Sequence, residues 1–550
     1  MTATIIGAIQ RVRPLARVQF LALPARVAGL LAVYFCLEWW TLGVARLPES
    51  SYFQPLIIAE LLESILRPAS ISVLPMARLA ILLGLTGVLW RYRRRLFAPW
   101  SELEHSRYLR VLVGVVVAIL AWSYASYDYN AYFDRTHLFD RILLLGLALI
   151  VLWRPIATLP FTLLFVAVIW QFWHPIGHFS VAEQFVLMRM LLLFTGALFL
   201  GAVFRRSWSK ELLFVSIALL AAAYLRCGIG KATLDGSSYG LFNWVTHGHI
   251  PFLMLATYGN GWLGFLDPGT VTRLSVDIAR VDPLLVYGTV LLECGAIFCL
   301  AHRRALIGFL IGWMLFHLGV FALSGICFWK WMIVEAVLLW IFLSPEGARR
   351  FPIFSRGHIL ISFVLIIGGT IWFRPVTLAW YDSPANYTYR FVATGVSGRT
   401  YSLPPSFFAP YDYQFTMGNF AYLSPEPVLD ITWGGIWSRD LADVLLSARA
   451  TQEIEQIERE RGRIRFDAEE AERTDRFLIQ FIGVRQTRGP SGPFPVGTAI
   501  PQLWTFPRDD AYRGEEPLLE VAVQQIASFF DGTRYQEFRA RTIRRVKLDR

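Results

Sequence analysis

Several ionisable side chains of this chain stand inside long apolar runs, where a charge is costly unless it meets a partner or faces a cavity. Glu38 lies in the first run, Arg226 in the seventh, Glu293 in the eighth, His317 in the ninth and Glu335 in the tenth. At 1.5 Å rise per residue, Glu293, His317 and Glu335 each fall about 10–15 Å below the outer end of their helices. Three consecutive helices thus present polar groups at one depth, as a membrane-embedded cavity open to the exterior requires. The competing reading is structural: His and Glu pair between helices and hold the bundle together.

Lys231 follows Gly228-Ile229-Gly230 at the end of the seventh run. The glycines leave room for a ligand or for close helix packing. An amine in a dry pocket gives up its proton readily and becomes a base. The alternative is a lysine that snorkels to the headgroups. His137, in Phe-Asp-Arg-Thr-His, precedes the fourth run. His174 and His178 are four apart but flank Pro175 and Gly177, which favours a loop, and no third ligand is near, so no metal site is expected. His247 and His249 read as loop residues. The five cysteines lie in or beside apolar runs with no CxxC spacing, which excludes a disulfide-stapled exterior domain. There is no Walker loop, GxSxG or HExxH.

The elements that must position these residues are helices in lipid. Of 550 residues, 55% are hydrophobic and 17% charged, below the quarter or so that a soluble domain carries. Apolar runs of bilayer-spanning length begin at Val27, Leu74, Tyr108, Ile142, Ile156, Val186, Leu212, Leu284, Ala305, Phe328 and His358. The reading is about 11 spans. After an Arg-rich N-terminus, every even-numbered turn is basic: Arg91 to Arg95, Arg154, Arg205 to Lys210, Arg303-Arg304, then Arg349 to Arg356. That alternation places the basic turns in the cytoplasm and the C-terminal segment outside. The net charge of +11 is therefore read as topology signal and contact with membrane lipid, with no nucleic acid partner.

The division is 1–26 cytoplasmic, 27–373 multi-span and 374–550 a small mixed or β-rich exterior domain. The segment from Leu234 to Pro283 is too apolar for a simple loop and suggests a re-entrant or interfacial helix. In the tail, Thr451 to Arg476 reads as a charged helix with Glu455 and Arg459 at i,i+4. Arg476 to Arg488, with Phe477, Ile479 and Phe481 alternating, reads as a strand, and Gly489 to Pro495 as a loop.

The stretch Tyr224 to Gly240, YLRCGIGKATLDGSSYG, resembles a segment of the vitamin K-dependent γ-glutamyl carboxylase family and its bacterial relatives. The stretch Phe309 to Pro345 resembles that family's later Phe-His helix and the span after it, and Phe133 to His137 its segment with a second functional His. The resemblance implies a polytopic helical fold in a bacterial inner membrane. It implies a vitamin K-type hydroquinone as cofactor, Lys231 as its base and His137 as the assisting group. The oxygenated quinol then takes a γ-proton from a substrate Glu, and carbon dioxide adds to the carbanion. Gly230 stands where the family carries the first of two lysines. His317, Glu293, Glu335 and Arg226 are the expected cofactor-binding residues, and an exported protein or peptide the expected partner. The alternative is a non-enzymatic maturation factor for exported proteins, since lipase maturation factors are similar in combining many spans, a Gly-Lys turn and an exterior β-rich domain. A transporter would show an inverted repeat or paired broken helices, and neither is seen.

Overall fold

The structure, a computed structural model, describes residues 22–41, 73–126, 138–173, 176, 181–236, 240–488, 499–506 and 511–548. Each of the eleven apolar runs coincides with a helix. These are α1 (Ala22–Thr41), α2 (Val73–Leu96), α3 (Ser106–Ala125), α4 (Leu138–Val151), α5 (Thr158–Trp173), α6 (Val181–Phe204) and α7 (Ser209–Ala232). After a segment of shorter helices come α11 (Asp282–Cys294), α12 (Arg303–Ser324), α13 (Trp329–Leu343) and α15 (Arg356–Trp372).

Among the described residues, five helices are long and apolar enough to cross a membrane: α1, α3, α6, α7 and α12. A sixth is reached if α10 (Pro268–Ala279) and α11, bent by 66°, form one broken span. The eleven expected spans are therefore not all full-length helices. Arg154 and Pro155 split the fourth and fifth runs into helices of 14 and 16 residues, and three arginines occupy the last turn of α2.

The bundle has two different ends. At one, the basic turns meet. Arg154 donates to the Phe97 carbonyl at 2.8 Å, Arg95 to that of Ala202 at 2.8 Å, and Arg303 to that of Phe342 at 2.8 Å. These carbonyls have no intrahelical partner, so the arginines cap helix ends as they mark the turns. At the other end, α3, α7 and α12 all deliver their C-termini to the segment that follows residue 373. Ser126 accepts from the Ala499 amide at 3.0 Å, Gly325 from Trp504 at 3.0 Å, and Lys231 donates to the Leu378 carbonyl at 2.9 Å.

The segment from Leu234 to Pro283 contains the short apolar helices α8 (Asn243–His247) and α9 (Ile250–Gly259), then the bent α10–α11 pair. Strands and helices follow α14 (Pro345–Arg350) and α15: β1 (Tyr381–Asp382), β2 (Ala385–Gly395), β3 (Thr400–Leu403), α16 (Asp412–Met417), β4 (Gly435–Ile436), α17 (Arg439–Ser447), α18 (Thr451–Arg461), α19 (Ala468–Arg488), β5 (Leu518–Phe530) and β6 (Tyr535–Lys547). Four strands form an antiparallel sheet of order β3-β2-β5-β6, with Tyr387 opposite Ala527 and Glu520 opposite Lys547.

The strand expected at Arg476 to Arg488 is the second half of helix α19. Phe477 and Phe481 share one helical face, and with Leu478 and Ile482 they are buried. Both rings pack on an aromatic core that includes Phe408 and Tyr411. A spacing of four outcompetes the coincidental alternation because it serves this core. The charged helix expected over Thr451 to Arg476 is broken after Arg461, where Gly462 and Arg463 turn back, Arg463 exchanging backbone hydrogen bonds with Val428. Gly489 to Pro495 lies outside the described residues.

Gly228 lets α7 approach α11 closely: a Cβ there would sit 2.7 Å from Cys294 Sγ and 2.8 Å from the Cys294 nitrogen. Gly228→Ala is expected to destabilise the protein by about 1–3 kcal/mol through overpacking. Thermal unfolding in detergent checks this; an unchanged midpoint would mean that the two helices are not in contact here.

Candidate functional site

One face of α7 carries the polar groups. Tyr224 and Lys231 are seven residues apart, two turns, and so project from the same side. Around Tyr224 the neighbouring helices supply His317 from α12 and Glu335 from α13. The Tyr224 hydroxyl lies 2.5 Å from His317 Nε2 and 2.5 Å from Glu335 Oε1. All three side chains are buried. The ring of Tyr224 stacks on Trp313 at 4.2 Å and 7°, while Phe328 and Trp331 flank His317 at 4.8 and 5.9 Å.

The hydrogen-bond order follows from the acceptors. With Glu335 taken as a carboxylate, which only accepts, the Tyr224 O–H is its donor, and the Tyr224 oxygen then accepts from His317 Nε2–H. Two acceptor positions are left over, His317 Nδ1 and Glu335 Oε2, both buried and without a partner among the described residues. Such positions call for an explanation, because an unmet buried acceptor costs about 1–3 kcal/mol.

Lys231 is held two turns further along. Its Nζ donates to both carboxylate oxygens of Glu293 at 2.8 Å and to the Leu378 carbonyl at 2.9 Å. It also lies 5.5 Å from the Trp244 ring centre. Three acceptors use all three N–H groups of an ammonium, one more than a neutral amine has. The side chain is 12% exposed and that of Glu293 4%. Lys231 therefore neither snorkels nor stands alone in a dry pocket; it closes a buried ion pair. The single layer expected for Glu293, His317 and Glu335 is thus two clusters, because Glu293 turns to Lys231. Arg226 faces elsewhere, donating to Thr377 at 2.7 Å. Glu38 pairs with Arg189 of α6 at 2.9 Å. His137, His174 and His178 lie outside the described residues. No group of three metal-ligating side chains occurs among the described residues.

Behind Glu335 a second buried pair joins α6 to α13: Lys330 Nζ lies 3.1 Å from Glu183 Oε2, and the Trp331 indole donates to the Glu183 carbonyl at 3.2 Å. Comparisons with family models, curated proteins and solved structures match nothing. Tyr224, Glu183, Arg189 and Lys330 were not singled out in the sequence. The last three carry the same signal as Glu335, an ionisable residue in or beside an apolar run, whereas a lone Tyr has none.

Where α7 meets the C-terminal part, Trp244 donates to the Trp380 carbonyl at 2.8 Å and Asn243 to the Tyr381 hydroxyl at 3.0 Å. Asp382 follows, buried, accepting from the Trp380 indole at 3.1 Å. Burial pushes its carboxyl up to about 7, with Asp282 adding to the rise and Trp380 and Lys231 opposing it.

Removing one partner of a buried ion pair strands the other charge. Lys231→Met is expected to cost about 3–5 kcal/mol, and the double variant Lys231→Met/Glu293→Leu to recover most of it. Chemical denaturation of the three proteins checks this, and a double variant no better than the single one contradicts it. For Asp382 the folded value, about 7, exceeds the unfolded value of about 3.9. Its stabilising contribution is thus complete below about pH 4 and is lost as pH rises towards and through about 7. Asp382→Asn should flatten that slope and be more stable than wild type at about pH 8; thermal unfolding against pH reads it directly.

Proposed function

We infer that this chain is a membrane-embedded acid–base enzyme of the carboxylase-like kind, working on a lipid-soluble quinol, with His317 rather than Lys231 as the proton acceptor. The observation that carries the reading is the Tyr224–His317–Glu335 chain with His317 Nδ1 left open. A proton arriving at Nδ1 can be matched by transfer of the Nε2 proton to the Tyr224 oxygen and of the Tyr224 proton to Glu335. The carboxylate ends neutral and no isolated charge remains in the apolar interior. Trp313, stacked on the Tyr224 ring, and Phe328 and Trp331 beside His317 make the surroundings aromatic and apolar, chemistry that suits a naphthoquinol ring, and Nδ1 suits its hydroxyl. Bound there, such a hydroquinone would supply the electrons by which oxygen yields a base for carboxylating glutamate, with epoxide and water as the other products. Lys231, saturated by Glu293 and Leu378, is a positioning residue in this reading: it ties α7 to α11 and to the segment that follows α15. Eleven passes, a cytoplasmic N-terminus and an inner-membrane location belong to the same proposal, supported by the gathering of basic turns at one end of the bundle. The second reading, a maturation factor for exported proteins, draws on β6, a 13-residue strand at the edge of the sheet that could receive an extended peptide.

The test incubates purified protein with reduced vitamin K, labelled bicarbonate and a Glu-rich peptide. Wild type should incorporate label. Tyr224→Phe keeps the ring on Trp313 but cuts the relay, and should lower the rate about 10²–10⁴-fold, with a stability loss of about 1–3 kcal/mol from the buried groups it leaves unmet. No incorporation and no quinol consumption by the wild type removes the enzyme reading.

A further inference from the structure

At the basic end of the bundle, far from the Tyr224 chain, a cavity of about 330 Å³ opens between the turn after α2 and the α6–α7 turn. Its floor is apolar, formed by Phe194, Leu198 and Leu212 among others. Its cations are Arg95, Arg205 and Arg206. Arg95 already donates to Ala202. Arg205 and Arg206 are exposed and have no ion pair or hydrogen bond among the described residues. The acidic residues at the rim, Glu102 and Glu104, are fewer than the three arginines.

Two further features point to an anion. The 24-residue helix α7 begins at Ser209 on this cavity, so the positive end of its dipole is presented there. Trp208, immediately before it, lines the cavity, is 8% exposed, and has a buried indole N–H with no hydrogen-bond partner among the described residues. Arg205 also holds φ at +54°, a left-handed conformation that costs an L-residue about 1–2 kcal/mol and that glycine would adopt freely. Retaining an arginine at a position that suits glycine puts a cation where the cavity opens.

We propose that this cavity is a binding site for the headgroup of an anionic glycerophospholipid. The phosphodiester sits between Arg205, Arg206 and the Trp208 N–H, and the first carbons of an acyl chain run over Phe194 and Leu198. The volume lies at the lower end of the roughly 300–1,000 Å³ typical of ligand pockets; it takes a headgroup and the start of a chain, with the rest of the lipid in the bilayer. The site requires only that the bundle lies in a membrane. Failure of the quinol chemistry leaves it untouched.

Photo-crosslinking tests it. The full chain in vesicles is labelled with a phosphatidylglycerol carrying a photoactivatable group near its headgroup, and the labelled peptides are mapped. Label is expected on the segment 205–212, reduced by excess phosphatidylglycerol but not by phosphatidylcholine or inorganic phosphate. The double variant Arg205→Gly/Arg206→Gln, in which glycine suits the backbone, should lower this labelling about tenfold or more. Trp208→Phe, which keeps the packing, should lower it a few-fold. Competition by inorganic phosphate would assign the site to a soluble anion. Equal competition by phosphatidylcholine, or labelling unchanged in the double variant, would overturn the proposal.

Discussion

A helix that carries Tyr224 and Lys231 on one face cannot leave them to lipid, and the arrangement around α7 answers that constraint. Four partners come from four places: His317 from α12, Glu335 from α13, Glu293 from α11 and the Leu378 carbonyl from the segment after α15. The close approach that Gly228 allows sets α11 at the distance where Glu293 reaches the ammonium. Helix packing and charge neutralisation are thus one requirement, met together.

The two clusters on this face differ in what they leave unfinished. At Lys231 every donor and both carboxylate oxygens are engaged, and a saturated pair of that kind resists change. At Tyr224 the chain of hydrogen bonds stops short at both ends, at a ring nitrogen and a carboxylate oxygen. Other buried polar atoms, those of Gln171 and Ser123 among them, also lack a hydrogen bond among the described residues; at Tyr224 the open ends belong to one connected chain of ionisable groups, which another molecule would complete. That contrast, rather than the identity of any one residue, separates the scaffold from the reacting centre in the proposal.

Much of this was legible in the sequence. All eleven apolar runs are helical, because runs of that length and hydrophobicity have no other way to satisfy their backbone in an apolar setting. The polar positions Glu293, His317 and Glu335 were visible for the same reason, since charge in such a run is conspicuous. Their pairing was not. Depth along a helix says nothing about rotation, so Glu293 was grouped with His317 although it faces Lys231. The helix at Arg476 to Arg488 was misread because Phe477, Ile479 and Phe481 fit a period of two as well as Phe477 and Phe481 fit a period of four. Only the aromatic core contributed by Phe408 and Tyr411, some seventy residues earlier in the chain, decides between them. The tight junction of the two halves was likewise invisible, being made largely of backbone carbonyls and indole N–H groups that no composition reveals.

The hydrogen bond from Lys231 to Leu378 spans 147 residues of sequence. During synthesis α7 is made well before Leu378 leaves the ribosome, so its ammonium begins life without its third acceptor. That contact of the bundle is therefore made only once the polypeptide beyond α15 is in place. The lysine is thus a point where the helical part and the segment leading into the sheet share a bond that neither makes alone.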